Sequence, residues 1–393
     1  MNLNHYVMED ALESLIDYRG KTPQKSDTGI PTLSAKSVKN GYIDYSECYY
    51  ISPEEYKRFM VRGFPKVGDV LLTTEAPMGM VARLDRDDVG IAQRLITLRG
   101  KEGILDNNYL LYYLQSPIGQ HKLAERETGS TVTGIKQAEF RKIEIDIPNI
   151  DIQRKIAACL TCIDEKIENN KQINRNLSEQ AQAYFDELFI QNALPEWKEG
   201  TLSDLGRIVA GGTPSKAKDE YYTDNGIPWI TPKDLSVDKS VFISYGECDI
   251  TELGLQKSSA TMMPAGTVLF SSRAPIGYIA IAANEVSTNQ GFKSVVPNDN
   301  VGTAYMYYLL KQLLPTIENM ASGSTFKEVS GSVMKVVPTV IPDDDTLKIF
   351  TDYCEPIMKK IQKNEIESKR LVKLRDSLLP KLMLGEMDIS GVV

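Results

Sequence analysis

The chain has 393 residues, 42% of them hydrophobic and 25% charged, a size for two or three domains and a composition of globular proteins. No apolar run reaches the roughly 20 residues that cross a bilayer, and residues 1–13 lack the basic start and apolar core of a signal peptide, so a cytoplasmic protein is expected. The net charge of −8 weighs against a free-standing nucleic-acid binder, because phosphate contacts supply most of the affinity for DNA or RNA.

In chain order, Ser52-Pro53-Glu54-Glu55 reads as a capping box opening a short helix. Residues 67–73 read as a short buried strand entered by a turn glycine, and 109–114 as a helix with an aromatic face. From residue 152 to 190 the pattern becomes helical, a span of about 58 Å at 1.5 Å per residue. Another buried strand at 267–271 and an aromatic helix at 304–312 follow, then a second long helical stretch. Pro380 is expected to kink or end that stretch.

The order is not accidental. The second half repeats the first, displaced by roughly 195 residues. Gly20-Lys21-Thr22-Pro23 parallels Gly211-Gly212-Thr213-Pro214, and Gly29-Ile30-Pro31 parallels Gly226-Ile227-Pro228. Each of those prolines is followed five residues on by a lysine, Lys36 or Lys233. Ala76-Pro77-Met78-Gly79 parallels Ala274-Pro275-Ile276-Gly277, Gln93 parallels Gln290, and Tyr109 and Tyr112 parallel Tyr305 and Tyr308. Gly129-Ser130-Thr131 parallels Gly323-Ser324-Thr325. The expected division is a globular part at 1–150, a helix at 151–193, a second globular part at 194–343 and a second helix at 344–393. Mixed strand and helix signals make the globular parts α+β.

Both helical stretches carry an apolar seam in alternating steps of four and three, the pattern of a coiled coil. In the first it runs through Ile156, Leu160, Ile163, Ile167, Asn170, Asn174, Leu177, Ala181, Tyr184 and Leu188. In the second it runs through Phe350, Cys354, Ile357, Ile361, Asn364, Ser368, Leu371, Arg375, Leu378 and Leu382. Asn170 and Asn364 interrupt the seam at equivalent places. Either they face each other and fix the register, or they mark a solvated break in the packing.

Searches for chemistry fail. Five scattered cysteines make no disulfide framework, and the Cys159-x-x-Cys162 pair lies in the helical pattern without the further ligands of a zinc site. Only His5 and His121 are present, far apart in sequence. There is no phosphate-binding loop (Leu15 stands where its first glycine would be), no dinucleotide fingerprint, no H-E-x-x-H and no G-x-S-x-G. The chain contains no Pro-Pro, so it lacks the Asn- or Asp-Pro-Pro-aromatic motif of an amino-methyltransferase. Acidic clusters at Asp87-Asp88 and Asp343-Asp344-Asp345 sit beside turn signals and read as solvated loop charge. No catalytic residue and no metal ligand is assigned.

Several segments resemble the motifs of type I restriction–modification specificity subunits. They are Gly211-Gly212-Thr213-Pro214-Ser215, Ile227-Pro228-Trp229-Ile230-Thr231-Pro232-Lys233, Ser287-Thr288-Asn289-Gln290-Gly291, Gly323-Ser324-Thr325-Phe326-Lys327 and Leu378-Leu379-Pro380-Lys381-Leu382-Met383. The double pattern of globular part plus helix resembles that family over essentially the whole chain. The resemblance implies two α+β target-recognition domains held apart by two long antiparallel coiled-coil helices, a pseudo-two-fold repeat. Each domain would read one half of a split DNA sequence. The helices would set the distance and dock two methyltransferase subunits, which nuclease-translocase subunits join. S-adenosylmethionine, ATP and Mg would be held by those partners and none by this chain. The first half departs from the pattern: it has one glycine fewer at Gly20, and Thr32 replaces Trp229. The two halves should therefore read different half-sites.

Residues shared by both halves cannot explain different preferences. Thr22 and Thr213, Lys36 and Lys233, Gln93 and Gln290, and Thr131 and Thr325 are assigned to scaffold or phosphate contact. Base reading is expected where the halves differ: Glu75 against Arg273, Arg94 against Gly291, Thr133 against Lys327. Arginine grips guanine by two hydrogen bonds and glutamate accepts from cytosine, which puts Arg94, Arg273 and Glu75 forward; a surface ion pair is the alternative for each arginine. Lys21, Lys136 and Lys216 complete the DNA-facing candidates. Helix pairing is assigned to Ile163, Ile167, Asn170, Leu177, Ile357, Ile361, Asn364 and Leu371, and one turn inserted after Asn176 and after Arg370 should lengthen the gap between half-sites. A stand-alone DNA-binding regulator, an enzyme with an unfamiliar site and a partner-binding scaffold remain as other functions.

Overall fold

A computed structural model describes residues 2–18, 20–129, 133–323 and 327–387. Two compact units divide it: Met1–Ile167 with Arg370–Val393, and Glu168–Lys369. Each unit takes one globular part together with a stretch of both long helices.

In the first unit the buried run Val70–Thr73 is central to an antiparallel sheet, flanked by Leu95–Gly100 and Val81–Arg83, with Leu12–Asp17 beyond Leu95–Gly100. All four of its residues are buried, which is why the sequence shows an unbroken apolar run rather than an alternation. A second sheet joins Ile30–Leu33 to Tyr49–Ile51 and, in parallel, to Gly90–Ile91. In the second unit Val268–Ser272 plays the central part in a five-stranded sheet with Lys293–Pro297, Gly206–Ala210, Ile276–Ala282 and Phe242–Ile243. Ile227–Ile230, Cys248–Ile250 and Ser287–Thr288, with Tyr222–Thr223, repeat the smaller sheet. Each globular part is closed by a ribbon that joins its beginning to its end: Asn4–Val7 with Glu144–Ile147, and Lys198–Thr201 with Pro338–Ile341. These strands of four residues each carry no local pattern strong enough to mark them in the sequence.

The short helix Pro53–Phe59 starts as expected, with Ser52 Oγ accepting from the Glu55 N–H at 3.1 Å. The reciprocal half of the box is not made: the Glu55 carboxylate accepts from the Gln24 N–H and from Arg58. The aromatic helices are Asn107–Gln115, continued by Pro117–Ala124, and Thr303–Met320, which runs on through Pro315. Their tyrosines explain the repeat. Tyr109 and Tyr112 in one unit, Tyr305 and Tyr308 in the other, are buried between sheet and long helix.

The long helices are Ile150–Asp186, extended by a π-helical turn Glu187–Gln191, and Asp344–Met383. Every expected seam position is buried or half-buried. Beyond Ala181, however, the fully buried residues are Phe185 and Phe189, with Tyr184 and Leu188 only half-buried. A straight helix drifts from a 3.5-residue repeat, and here the apolar face turns toward Tyr305 and Tyr308. Pro380 does not end the second helix, which continues three residues to Met383, and Pro356 also lies within it. Leu379, Leu382 and Met383 pack with Ile156 and Leu160 in the first core.

The asparagines of the seam pair one layer apart from the expected register. Asn364 Nδ2 donates to Asn174 Oδ1 at 2.8 Å, and Asn170 Nδ2 donates to Glu367 Oε2 at 2.9 Å and to Ser368 Oγ at 3.4 Å. Asn170 and Asn364 therefore do not face each other. Asn174 and Ser368 are repeat equivalents, so the two contacts exchange under the pseudo-two-fold. Asn170 and Asn364 are 1% and 0% exposed, which rules out the solvated break.

In the first unit, Arg375 Nη1 donates to Asp164 Oδ1 at 2.8 Å and the Tyr112 hydroxyl to Oδ2 at 2.8 Å. Both charged side chains are about one-third exposed, 31% and 34%, so solvent screens the pair. Arg375→Ala should cost only about 1 kcal/mol in urea unfolding; a loss of several kcal/mol would show a buried pair instead.

Candidate nucleic-acid interface

The repeated loops converge at one end of each domain. In the second unit, Gly211 N–H donates to Phe292 O and Gly212 N–H to Thr288 O, while Thr213 Oγ1 donates to Gln290 Oε1. The Ser272 N–H donates to Gly291 O, and the Val329 N–H to Ser272 O. Four segments are thus tied together: the Gly-Gly-Thr-Pro loop, the loop after Val268–Ser272, residues 287–293 and the segment ending at Val329.

Both glycines are required by close approach. A Cβ on Gly211 would lie 1.9 Å from Asn289 O, and one on Gly212 2.2 Å from the Ala260 N. The Trp229 indole donates to Gly212 O at 2.9 Å and holds the loop down. The two departures of the first half are therefore one difference. Thr32 has no indole to reach a second glycine, and its Oγ1 turns to its own strand at Ile30 O. The described contacts of the Gly20 loop run elsewhere, from the Gln24 N–H to Glu55 and from the Ser26 N–H to Tyr50 O. Lys21 and Thr22 are exposed on that loop.

The rest of the first site matches the second. The Thr74 N–H donates to Arg94 O, the Ile135 N–H to Thr74 O, and Glu75 bridges to Gly134. Lys136 is exposed beside Ile135. Ala76 and Ala274, which open the equivalent loops, both have positive φ, 54° and 55°.

An ion pair recurs with its partners exchanged. In the first repeat Arg94 Nε lies 2.9 Å from Glu75 Oε1. In the second, Arg273, equivalent to Glu75, lies 3.5 Å from Glu328, equivalent to Gly134. Each arginine keeps 38% or more of its side chain exposed. Both arginines thus form the surface pairs weighed as the alternative, and each remains accessible. Sequence reasoning missed Lys293, which stands where the first repeat has the buried Ile96. It is half-buried, and its ammonium donates to Gln290 O at 3.2 Å and Phe292 O at 3.3 Å. Burial pushes its pKa down, Glu328 pulls it up and Arg273 pushes it down further. The signal was a charge in the second half set against isoleucine in a buried strand.

Lys233 is exposed and paired with Glu247 at 2.6 Å, and its neighbour Pro232 abuts Gly291. Lys36, Lys216 and Lys327 are exposed. Gln93 is half-buried and Gln290 exposed. Thr131 and Thr325 lie outside the described residues. Cys159 and Cys162 lie on the first long helix, and among the described residues no cluster of three or more His, Cys, Asp or Glu could hold a metal. Among the same residues no helix is long and apolar enough to cross a membrane.

The model of the family described as the type I restriction modification DNA specificity domain matches twice, at residues 11–179 and 195–369. The chain belongs to this family. Each match takes in one set of converging loops and runs on into a long helix. The type I restriction enzyme MjaIX specificity subunit of Methanocaldococcus jannaschii is 39% identical over 196 residues, 48% of this chain and 45% of that protein, so this alignment spans less than half of that relative. The HindI specificity subunit of Haemophilus influenzae is 25% identical over 91% of this chain and 89% of its own length. The fold is that of the type I restriction-modification system S subunit from M. genitalium, with a TM-score of 0.63 at 18% identity, covering 97% of this chain and 96% of the other.

Proposed function

We propose that this chain is the DNA-reading subunit of a type I restriction–modification complex and recognises a two-part, asymmetric sequence, one part with each set of converging loops. The observation that carries this is the recurrent ion pair. A shared loop scaffold presents Arg94 beside Glu75 in one repeat and Arg273 beside Glu328, with Lys293 behind, in the other. Exposed Lys36, Lys136, Lys216, Lys233 and Lys327 suit phosphate contact, which positions without reading sequence.

The chain supplies no catalytic centre of its own and works in the cytoplasm. Two methyltransferase subunits dock on it and hold S-adenosylmethionine; nuclease-translocase subunits hold ATP and Mg. Those partners add the phosphate contacts that a chain of charge −8 needs.

The test is to express the chain with its cognate methyltransferase in a host lacking adenine methylation and to map methylated adenines. A single motif with unlike halves and a fixed gap is expected. Absence of any motif, with soluble protein and an active partner, would remove the proposal in favour of a scaffold or regulator. On the mapped target, Arg273→Ala should cost about 1–3 kcal/mol at one half-site and leave the other unchanged. Unaltered methylation at an unaltered sequence would strike Arg273 from the reading residues.

A further inference from the structure

The second recognition domain is attached to the second long helix by a device not found among the described residues of its repeat. Strand Phe242–Ile243 is the edge of the five-stranded sheet and pairs in parallel with Ile276–Ala282. The carbonyls of Val241 and Ile243 accept from the Ile281 and Ala283 N–H groups. On the outer side the N–H groups of Val241 and Phe242 would be open edge donors. Instead they donate to the two oxygens of Glu365, at 2.7 and 3.1 Å. One turn further along the same helix face, Lys369 Nζ lies 2.7 Å from Asp238 Oδ2. Asp238 also accepts from the Ser240 N–H, at 3.0 Å. Two side chains of one helix therefore hold both ends of segment 238–242.

A mostly buried carboxylate is a costly way to fill space, since an apolar side chain would pack there without desolvating a charge. What the carboxylate adds is direction: two bonds to consecutive backbone N–H groups fix both the distance and the angle of the strand. The equivalent position in the first repeat is Lys171, exposed and 3.5 Å from Glu168. The first unit uses Tyr112, Asp164 and Arg375 instead.

We propose that Glu365, with Lys369, is a positioning residue for the second half-site: it sets the angle of the second recognition domain on the helix, and thereby the gap and the half-site that the complex accepts. This rests on the DNA-reading function proposed above.

The groups around Glu365 support a pH dependence. Burial pushes its carboxyl from the ordinary 4.5 up to about 7, against the pull of the Val241 and Phe242 N–H groups and Lys369, while Asp238 pushes it further up. From helix Thr303–Met320, Tyr307 faces it, and the Glu365 charge adds to the burial that raises the Tyr307 hydroxyl. A carboxyl raised in this way contributes fully below its ordinary pKa, and the contribution is lost as pH rises through about 7. The ionised carboxylate is the stronger acceptor, so the two N–H bonds of the clamp should strengthen between pH 6 and pH 8 while the unit as a whole loses stability.

The experiment uses the full chain assembled with its methyltransferase. Methylation kcat/KM is compared on the mapped target and on duplexes with the gap changed by one base pair. Glu365→Ala should lose about tenfold of the preference for the native gap, equivalent to about 1.4 kcal/mol. Glu365→Gln keeps one acceptor oxygen, sets an amide nitrogen against the other backbone N–H and does not titrate, so it should keep only part of the preference and hold it constant from pH 6 to pH 8, where the wild type rises. Lys369→Met, which removes only a partly exposed pair, should fall between the wild type and Glu365→Ala. A Glu365→Ala complex with wild-type gap preference overturns the proposal. Should that variant fail to fold, Glu365→Gln decides: a gap preference equal to that of the wild type at pH 8 overturns it equally. A wild type with no two-part motif overturns the DNA-reading function itself, which separates the two failures.

Discussion

Phe350→Ala will destabilise the second unit by about 3–5 kcal/mol, the range for truncating a buried phenylalanine. Phe350 is fully buried on the second long helix. Its ring meets Phe189 at 5.3 Å and Phe185 at 5.8 Å from the first long helix, both edge-on. Tyr308 and Tyr305 of helix Thr303–Met320 approach it at 6.2 and 6.5 Å, again edge-on. Each such contact adds about 0.5–1.5 kcal/mol beyond the area it covers. One side chain therefore joins three helices, and the cavity left by alanine cannot close without moving all of them. Urea unfolding with hydrogen exchange in helix Thr303–Met320 measures the effect. Phe350→Leu should recover much of the loss. A cost below about 1 kcal/mol would mean that the aromatic cluster is not the anchor of this unit.

The second large effect concerns the gap between half-sites. Four residues added after Ile167, together with four after Arg370, should lengthen the preferred gap by roughly two base pairs, since one turn adds about 6 Å and DNA rises 3.4 Å per base pair. The polar layer chooses these points. Asn170 lies against Ser368 and Asn174 against Asn364, so the chain beyond Ile167 faces the chain before Leu371. Insertion after Asn176 and Arg370, the pair suggested by the repeat, is not equivalent. Asn176 faces the neighbourhood of Ile361, and adding a turn there would draw Asn170 and Asn174 away from their partners. Two buried amides would lose their hydrogen bonds, at about 1–3 kcal/mol each. The outcome should be a less stable chain rather than a longer ruler. Mapping methylated adenines for both insertion variants separates the cases, and an unchanged gap for the Ile167 and Arg370 insertion would show that the helices do not set it.

Repeat, helix seams and loop motifs could all be read from the sequence, because each is a local pattern. Leu160, Ile167, Cys354 and Ile361 are buried where their spacing put them, and the apolar runs before Thr73 and Ser272 are central strands. The shared motifs lie within the two stretches that match the family, and among them Gly211 and Gly212 are required by close backbone approach. Periodicity shows that a residue is buried, but not which residue it meets. The partner of Asn364 was settled only by the antiparallel register, and the ribbons that close each domain join segments some 140 residues apart, beyond any local signal. The exchanged ion pair needed the segment at Val329 to be tied to Ser272, which sets Glu328 beside Arg273. Nothing in the local pattern sets Glu365 apart from the other charges of its helix; its role comes from the edge strand Phe242–Ile243 laid against it. Composition and spacing determine which faces are apolar and where the chain turns; the directions of hydrogen bonds between distant segments belong to the tertiary structure alone.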